Sequence, residues 1–455
     1  MTETKNTQGQ DGKLSRRHFM GAAATTAAFT IVPSYVLGGA NGKPPSEKLN
    51  IAGVGIGGMG KSNLGGCESE NIVALCDVDW SYAAGVFKKY PNAKQWKDFR
   101  KMLDEQKDID AVIVATPDHL HTPVAMAAMQ RGKHVYVQKP LTRLVSEARA
   151  LTEAARKYKV ATQMGNQGHS GDGVRDICEW IGAGTIGEVK EVHAWTNRPV
   201  WAQGIDRPKD TPAVPDTLDW DLWVGPAPMR PYHPCYLPFS WRGWWDFGGG
   251  ALADMACHVL DPVFSALKLK YASSVEACCS KVNNETFPVA SIVHFEYPAR
   301  EGMPPVKIHW YDGGLRPPRP EVLEAGRSMG NPDSSHVMFI GSKGILRCEE
   351  YGDTPRLVPE SLMKDFKVPA KTLPRIGMSH EQNWIRACKG GPAACSNFDY
   401  SGPFTEMVVM GNLAIRPENV GKKLEWDGDK MLVTNDKKAN DYVQMHYRKG
   451  WELKA

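Results

Sequence analysis

The sequence lacks several features that would point to particular classes of protein. Its ten cysteines form no Cys-x-x-Cys pair and no Cys/His spacing of the metal-binding kind, so no metal site is predicted and free thiols are expected. Beyond residue 40, 51 lysine and arginine residues face 49 aspartate and glutamate residues, without a basic block, which argues against a nucleic-acid partner. With 42% hydrophobic and 23% charged residues, the chain has the composition of a folded globular protein.

The first forty residues have the pattern of an export signal. A polar start is followed by Ser15-Arg16-Arg17, a weakly apolar run to about Leu37 and a group of small residues. The paired arginines resemble the twin-arginine type of signal, which exports proteins that have already folded. A membrane anchor is the alternative, but Pro33 interrupts the run, and no cysteine follows it as a lipoprotein would require. We predict a signal peptide over 1–40, a periplasmic protein and no integral membrane span after processing.

A glycine-rich segment follows the first predicted strand of the mature chain. The buried strand 48–52 leads into a loop in which Gly53, Gly55 and Gly58 fit the pattern G-x-G-x-x-G, and the next strand ends in Asp77. Glycines let the backbone approach a pyrophosphate, and a carboxylate at that place can accept from a ribose 2′-hydroxyl. The same carboxylate would repel a 2′-phosphate, so NAD is favoured over NADP. The alternative is a glycine turn without a ligand.

Strands and helices then alternate as far as residue 164, which predicts an α/β fold with a doubly wound parallel Rossmann sheet over 46–168. Ligands bind beyond the carboxyl ends of such strands, where the glycine loop, Asp77, 116–121 and 138–140 should meet. The predicted cofactor-binding residues are Gly53, Gly55, Ile56, Gly57, Gly58, Met59, Asp77, Thr116, Pro117, His119, His121, Gln138, Lys139 and Gln167.

Three of these motifs together resemble the Gfo/Idh/MocA oxidoreductases, a family that contains glucose–fructose oxidoreductase and inositol dehydrogenase. They are the glycine loop, Thr-Pro-Asp-His-x-His at 116–121, and Lys139-Pro140 after the next strand. The resemblance covers about 46–450. The family motif is Glu-Lys-Pro, and Gln138 stands here in place of the glutamate. The resemblance implies an NAD(P)-dependent oxidoreductase that acts on a sugar hydroxyl and forms a homo-oligomer, a dimer or tetramer, through its second domain.

The second half of the chain predicts an α+β domain over 169–430, with a large open, mainly antiparallel sheet, and a C-terminal tail, 431–455, that packs back on one of the domains. Seven of the 14 tryptophans lie within an insertion at 195–247. Indole faces with interleaved Asn, Arg and Asp suit sugar rings, and the alternative is an aromatic core. The predicted substrate-binding residues are Asn197, Arg198, Trp201, Trp241, Arg242, Trp245, Asp254 and His258.

Asp254 and His258 are spaced i, i+4 on a predicted helix and therefore share one face. Such a pair is by itself more often structural. The family resemblance, however, implies that D-x-x-x-H acts with the lysine of the Glu-Lys-Pro motif, which makes Lys139, Asp254 and His258 the predicted catalytic residues. A histidine can take a hydroxyl proton and a lysine can stabilise the resulting oxygen. The reverse assignment of base and electrostatic partner stays open.

Three functions fit these expectations. Because free NAD is scarce outside the cytoplasm, the first is an oxidoreductase with tightly bound NAD that oxidises a secondary hydroxyl of a sugar or glycoside, at C3 by analogy, and is recycled by a second carbohydrate. The second is an NAD-dependent glycoside hydrolase that oxidises, eliminates and re-reduces. The third is a periplasmic sugar-binding protein without catalysis. The catalytic trio argues against the third function. The hydrolases that resemble this family carry a motif with tyrosine and no aspartate at the D-x-x-x-H position, so the presence of Asp254 favours the first function over the second.

Overall fold

A computed structural model describes residues 47–444 and 446–453. The predicted signal peptide lies outside the described residues. Within them, no helix is both long enough and apolar enough to cross a membrane. All ten cysteines are free.

The first sheet has six parallel strands in the order β3-β2-β1-β4-β5-β6, the order of a dinucleotide-binding fold. Its central strands are apolar throughout because helices cover both faces. The predicted parallel Rossmann sheet is therefore confirmed. Its elements are β1 (Asn50–Val54), α1 (Met59–Gly66), β2 (Asn71–Cys76), α2 (Trp80–Lys89), β3 (Lys94–Trp96), α3 (Phe99–Glu105), β4 (Ala111–Val114), α4 (Asp118–Gln130), β5 (His134–Val137), α5 (Val145–Tyr158) and β6 (Thr162–Met164).

The second sheet has nine strands in the order β13-β12-β11-β7-β10-β9-β8-β14-β15, and only the pair β7–β10 is parallel. It confirms the predicted, mainly antiparallel second sheet. Its elements are α6 (Asp172–Gly182), β7 (Val189–Trp195), α7 (Trp220–Val224), α8 (Gly250–Val259), α9 (Asp261–Ala266), β8 (Ser274–Cys279), β9 (Ser291–Tyr297), β10 (Val306–Tyr311), β11 (His336–Gly341), β12 (Gly344–Glu349), β13 (Arg356–Val358), α10 (His380–Cys388), α11 (Phe398–Ile415), β14 (Leu424–Asp427) and β15 (Leu432–Val433).

Most of the tryptophan-rich insertion folds around an aromatic core of its own. Trp220 and Trp223 stack with ring centroids 4.8 Å apart, and Tyr236 packs edge-on against Trp244 at 4.7 Å. Offset and edge-to-face contacts of this kind are the favourable geometries for aromatic pairs. The excess of tryptophan therefore builds a rigid wall beside the first sheet, and only part of it is available to a ligand.

Helix α11 joins the two sheets, since it packs against α5 of the first and against β8 and β9 of the second. An ion pair fixes this contact: Arg149 on α5 donates to both carboxylate oxygens of Glu406 on α11, at 2.7 and 2.8 Å. The carboxylate is almost fully buried, at 4% exposure. A buried carboxylate without its partner is costly, so the pair fixes how α11 sits on α5.

We expect Arg149→Leu to lower the free energy of unfolding by about 3 kcal/mol, because it leaves the Glu406 carboxylate buried and unpaired. The double variant Arg149→Leu/Glu406→Leu should recover a large part of that loss, since it removes the stranded charge. Urea unfolding of the wild type, both single variants and the double variant measures the coupling. Additive losses in the double variant would contradict this account.

Candidate active site

The glycine loop connects β1 to α1. Gly55 has φ +76°, and a Cβ there would lie 2.6 Å from the amide nitrogen of Thr116. A Cβ on Gly60 would lie 2.2 Å from the carbonyl oxygen of Gly55. Glycine is therefore required where the loop meets the end of β4 and where α1 packs on the loop. The fingerprint reads Gly55, Gly57 and Gly60, two residues later than the spacing predicted; Gly53 lies inside β1 and faces Ile56.

Asp77, at the end of β2, faces the same loop. Its Oδ2 accepts from the backbone N–H groups of Ile56 (2.8 Å) and Gly57 (3.2 Å), and its Oδ1 accepts from the N–H of Asp79 (3.0 Å). Burial raises the pKa of Asp77 to about 6, against the opposing effect of these three donors. A glycine-rich loop, the start of α1 and a carboxylate at the end of β2 are the parts that bind a dinucleotide, so these residues fit NAD.

A cavity of about 450 Å³ runs along the carboxyl edge of the first sheet. Residues that follow β3, β2, β1, β4 and β5 line it in turn, from Phe99 past Asp77 and Gly57 to Thr116 and Lys139. Four inter-strand spacings of about 4.8 Å separate the first of these strands from the last, on the order of 19 Å in all. The predicted convergence of strand ends is therefore present, and the groove is elongated.

Three charged side chains meet at the β5 end of the cavity. The Lys139 Nζ donates to Asp254 Oδ1 (2.9 Å) and to the Asp254 carbonyl oxygen (2.8 Å), while the Arg242 Nε donates to the same Oδ1 (3.1 Å). Burial alone would raise the pKa of Asp254, but the Lys139 ammonium and the Arg242 guanidinium lower it to about 2. Asp254 is therefore an anion that fixes both cations at the cavity wall.

His258 lies one turn beyond Asp254 on α8 and lines the cavity. Its side chain is buried, and its Nδ1 has no hydrogen-bond partner among the described residues. Burial lowers the pKa of His258 to about 3, and the nearby Lys139 ammonium acts in the same direction. The imidazole is therefore neutral at physiological pH, with one ring nitrogen unprotonated, and it is a weaker base here than an ordinary histidine. The ring of Tyr351 stands edge-on to it, with centroids 5.1 Å apart.

A second carboxyl group, Asp118, is buried next to this cluster. Its Oδ2 accepts from the backbone N–H of Gly249 (3.0 Å), which attaches the start of α4 to the loop before α8. Burial raises the pKa of Asp118 to about 7; Arg242 opposes this shift and the negative charge of Asp254 adds to it. Asp118 therefore titrates near neutrality, unlike Asp254.

Two histidines of the 116–121 turn are structural. The His121 ring lies between the carbonyl oxygens of Pro140 (2.8 Å) and Thr116 (2.9 Å), and thereby connects the loops after β4 and β5. The His119 ring lies between the carbonyl oxygens of Trp223 and Phe247, at 3.0 and 3.1 Å, and holds the insertion on α4. Both rings are buried, and they position the walls of the cavity.

Gln138 replaces the family glutamate with a neutral amide. Its Nε2 donates to Asn63 Oδ1 (2.9 Å), and Asn63 in turn donates to Glu381 Oε1 (3.0 Å). The side chain thus belongs to a buried amide chain that anchors α1 to α10. The carboxylate that pairs with Lys139 is that of Asp254.

Most of the predicted cofactor residues reach the cavity, whereas the predicted substrate residues divide. Trp245 packs on Phe287, with ring centroids 3.6 Å apart, and Trp201 is buried beside Phe239; the cleft predicted for these two indoles is therefore replaced by packing. Asn197 donates to the Asp333 carbonyl oxygen and to no group of the cavity. The predicted residues that line the cavity are Gly55, Gly57, Gly58, Met59, Asp77, Thr116, Pro117, His121, Gln138, Lys139, Gln167, Trp241, Arg242 and His258; Gly53, Ile56, His119, Asn197, Arg198, Trp201, Trp245 and Asp254 are not among its lining residues.

Sequence reasoning missed four residues of this site: Gly60, Asp118, Tyr351 and Trp451. Asp118 is part of the Thr-Pro-Asp-His-x-His motif at 116–121, and that motif is the signal that could have identified it. Tyr351 has φ +67° and packs against Gly168, where a Cβ would lie 2.1 Å from its ring. Nothing in the local pattern around Tyr351 or Trp451 indicates that the chain returns there to the first sheet.

Family models match both parts of the chain. The one described as "Oxidoreductase family, NAD-binding Rossmann fold" matches residues 49–166, and "Oxidoreductase family, C-terminal alpha/beta domain" matches residues 181–302, together more than half of the chain. The chain belongs to the Gfo/Idh/MocA oxidoreductase family. Its first domain is accordingly an NAD-binding Rossmann domain.

The names of several relatives refer to reactions of carbohydrates. The levoglucosan dehydrogenase of Pseudarthrobacter phenanthrenivorans is 25% identical over 227 residues, 47% of this chain and 50% of the relative. A glycosyl hydrolase family 109 protein of Bacteroides fragilis is 35% identical over 128 residues, 25% of this chain and 28% of the relative. The chain thus matches half or less of the length of these curated relatives.

Solved structures share the fold. The WlbA dehydrogenase from Bordetella pertussis, in complex with NADH and UDP-GlcNAcA, aligns with a TM-score of 0.57 at 16% identity, over 84% of this chain and 99% of that one. At this identity the likeness establishes the architecture, a Rossmann domain followed by the second sheet.

We expect Asp118→Asn to stabilise the protein in a pH-dependent way. The folded pKa of about 7 exceeds the ordinary 3.8, so the charged form is penalised only in the folded state, and the free energy of unfolding falls as the pH rises from about 4 to about 7. The amide cannot ionise and keeps an oxygen for Gly249. Urea unfolding should show a gain of about 2–4 kcal/mol at pH 8 and no gain at pH 4. An equal gain at both pH values would contradict this.

Proposed function

We propose that the protein is an exported oxidoreductase with tightly bound NAD, which oxidises a secondary hydroxyl of a sugar or glycoside to the keto form and is recycled by a second carbohydrate. The observation that carries the proposal is the group of Lys139, Asp254 and His258 at one end of the dinucleotide groove. It combines a cation, its fixed counter-ion and a neutral imidazole. A protein that only bound sugar would have no use for this combination.

The roles of the side chains follow from their charges. Bound NAD supplies the hydride acceptor. His258 is neutral and lines the groove, so its imidazole takes the hydroxyl proton as the carbinol hydrogen leaves as hydride. Lys139 and Arg242 stabilise the negative charge that develops on the oxygen, and Asp254 holds both cations in place. The Tyr351 ring packs edge-on against the His258 imidazole.

The choice of NAD over NADP rests on charge at the end of β2. Asp77 and Asp79 both line the groove, and a ribose 2′-phosphate placed there would be repelled by two carboxylates. We attribute tight retention to the compartment: export in a folded state would bring the cofactor along, and a periplasm poor in free NAD would favour recycling within one active site. Oxidation at C3 is our specific choice among the hydroxyl positions.

An NAD-dependent glycoside hydrolase is the second candidate. The relatives of glycosyl hydrolase family 109 favour it, since the match to one of them reaches 35% identity over 128 residues. Oxidation at C3 would acidify the hydrogen on C2, so that the aglycone is eliminated from C1. Water would then add to C1 of the unsaturated ketone, and the ketone would be reduced again by the NADH formed in the first step. The same Lys139 and His258 would act in the first and last steps, so the distinction depends on whether the aglycone leaves.

We expect His258→Ala to reduce hydride transfer by at least a hundredfold, because the hydroxyl proton loses its acceptor. NAD(H) content per chain should stay at the wild-type level, because the dinucleotide residues are unchanged. Single-turnover absorbance at 340 nm and the nucleotide released on denaturation provide the two readouts. A variant that keeps wild-type transfer would assign the proton to another group, with Lys139 the first to test.

A panel of glycosides, analysed by mass spectrometry, separates the candidate functions. Loss of two daltons from the intact glycoside is the result expected for a dehydrogenase. Release of the aglycone together with a free sugar of unchanged redox state would instead support the hydrolase. If binding occurs without either product while Lys139→Ala binds equally well, the protein is a sugar-binding protein and the proposal fails.

A further inference from the structure

The groove has a second end, opposite the catalytic group. Lys139 follows β5, whereas Phe99 and its neighbours follow β3, four strands away across the sheet. When the nicotinamide lies beside Lys139, an extended dinucleotide with its ribose at Asp77 directs its adenine toward β3. This argument rests on the proposed function, since that function places the nicotinamide.

The wall at the β3 end comes from outside the first domain. Leu222 and Trp223 of the insertion line it, together with Trp451, close to the end of the described chain. The Trp451 ring lies 6.1 Å from the ring of Phe99 between centroids, and the Arg100 guanidinium lies 4.4 Å from it. At 7% exposure, Trp451 is packed between α3 and the cavity.

The segment that carries Trp451, residues 446–453, is here called the strap. Arg448 fixes the strap to the insertion: its Nε donates to the Gly225 carbonyl oxygen (2.9 Å), its Nη1 to Asp221 Oδ1 (2.5 Å), and its backbone N–H to the Pro226 carbonyl oxygen (3.0 Å). On its other side, the Tyr447 hydroxyl donates to Glu147 Oε1 (2.6 Å) on α5. Both contacts precede Trp451 in the chain, so the strap is anchored to the insertion and to α5 just before it reaches the groove.

We propose that the strap closes the adenine end of the groove, with Trp451 as the apolar wall against the adenine, and that it retains NAD(H) in the protein. The adenine ring is flat and apolar on its faces, and indole and Phe99 offer matching surfaces there. The nucleotide leaves only when the strap lifts, so the contacts of Arg448 set its rate of release although Arg448 is not one of the residues that line the cavity.

The test compares nucleotide release from Trp451→Ala, Arg448→Ala and the wild type. Lys449→Ala is the matched control, since Lys449 is an exposed neighbour on the same strap. Each protein is loaded with NADH, and the NADH that dissociates is oxidised by lactate dehydrogenase and pyruvate, which reports the release rate. Affinity for reduced nicotinamide mononucleotide, which has no adenosine, is measured in parallel.

Both strap variants should release NADH roughly ten- to a hundredfold faster than the wild type, and Lys449→Ala should not. Their affinity for the mononucleotide should be unchanged, which separates loss of the adenine wall from damage to the fold. Equal release rates for Trp451→Ala and the wild type would overturn the strap while leaving the proposed function intact. Equal losses for both nucleotides would also overturn it. A wild-type protein that binds no NADH would instead refute the proposed function.

Discussion

One buried carboxylate organises the active site. Asp254 pairs with Lys139 after β5 and with Arg242 of the insertion, so its Oδ1 joins the first domain, the insertion and α8. Two cations around one anion leave a net positive charge beside a neutral imidazole, His258. Charge of that sign is what a developing alkoxide requires. Without Asp254, the two cations would repel each other, and no anion would hold the loop after β5 and the insertion together.

Much of the first domain could be predicted from the sequence, because its signals are local. A strand, a glycine loop and an acidic residue follow each other within thirty residues, and strand–helix alternation sets the order of the sheet. The glycine register was placed two residues early, since the pattern fits two overlapping spacings and only backbone geometry distinguishes them. Gly55 closes on Thr116, and Gly53 is part of the strand.

The second half was less predictable because its site residues arrive by tertiary contacts. An indole on a loop looks the same in sequence whether it faces a sugar or a neighbouring ring. Trp245 packs against Phe287, some forty residues later in the chain, and this contact keeps its indole out of the cavity lining. Tyr351, in the turn that follows β12, contacts His258, and no local motif predicts that contact. In this half of the chain, the type of a residue suggests a role in binding, but its place in the sequence does not show whether its side chain reaches the cavity.

The wall around Trp451 also bears on the order in which the molecule is completed. Domains form in the order in which the ribosome delivers them, so the glycine loop and Asp77 are in place long before residue 451 emerges. During that interval the glycine loop and Asp77 are formed, but the wall that contains Trp451 is absent. A nucleotide can enter the groove during that interval and would be enclosed when residues 446–453 dock, so the nucleotides available around the ribosome would determine which one is bound first.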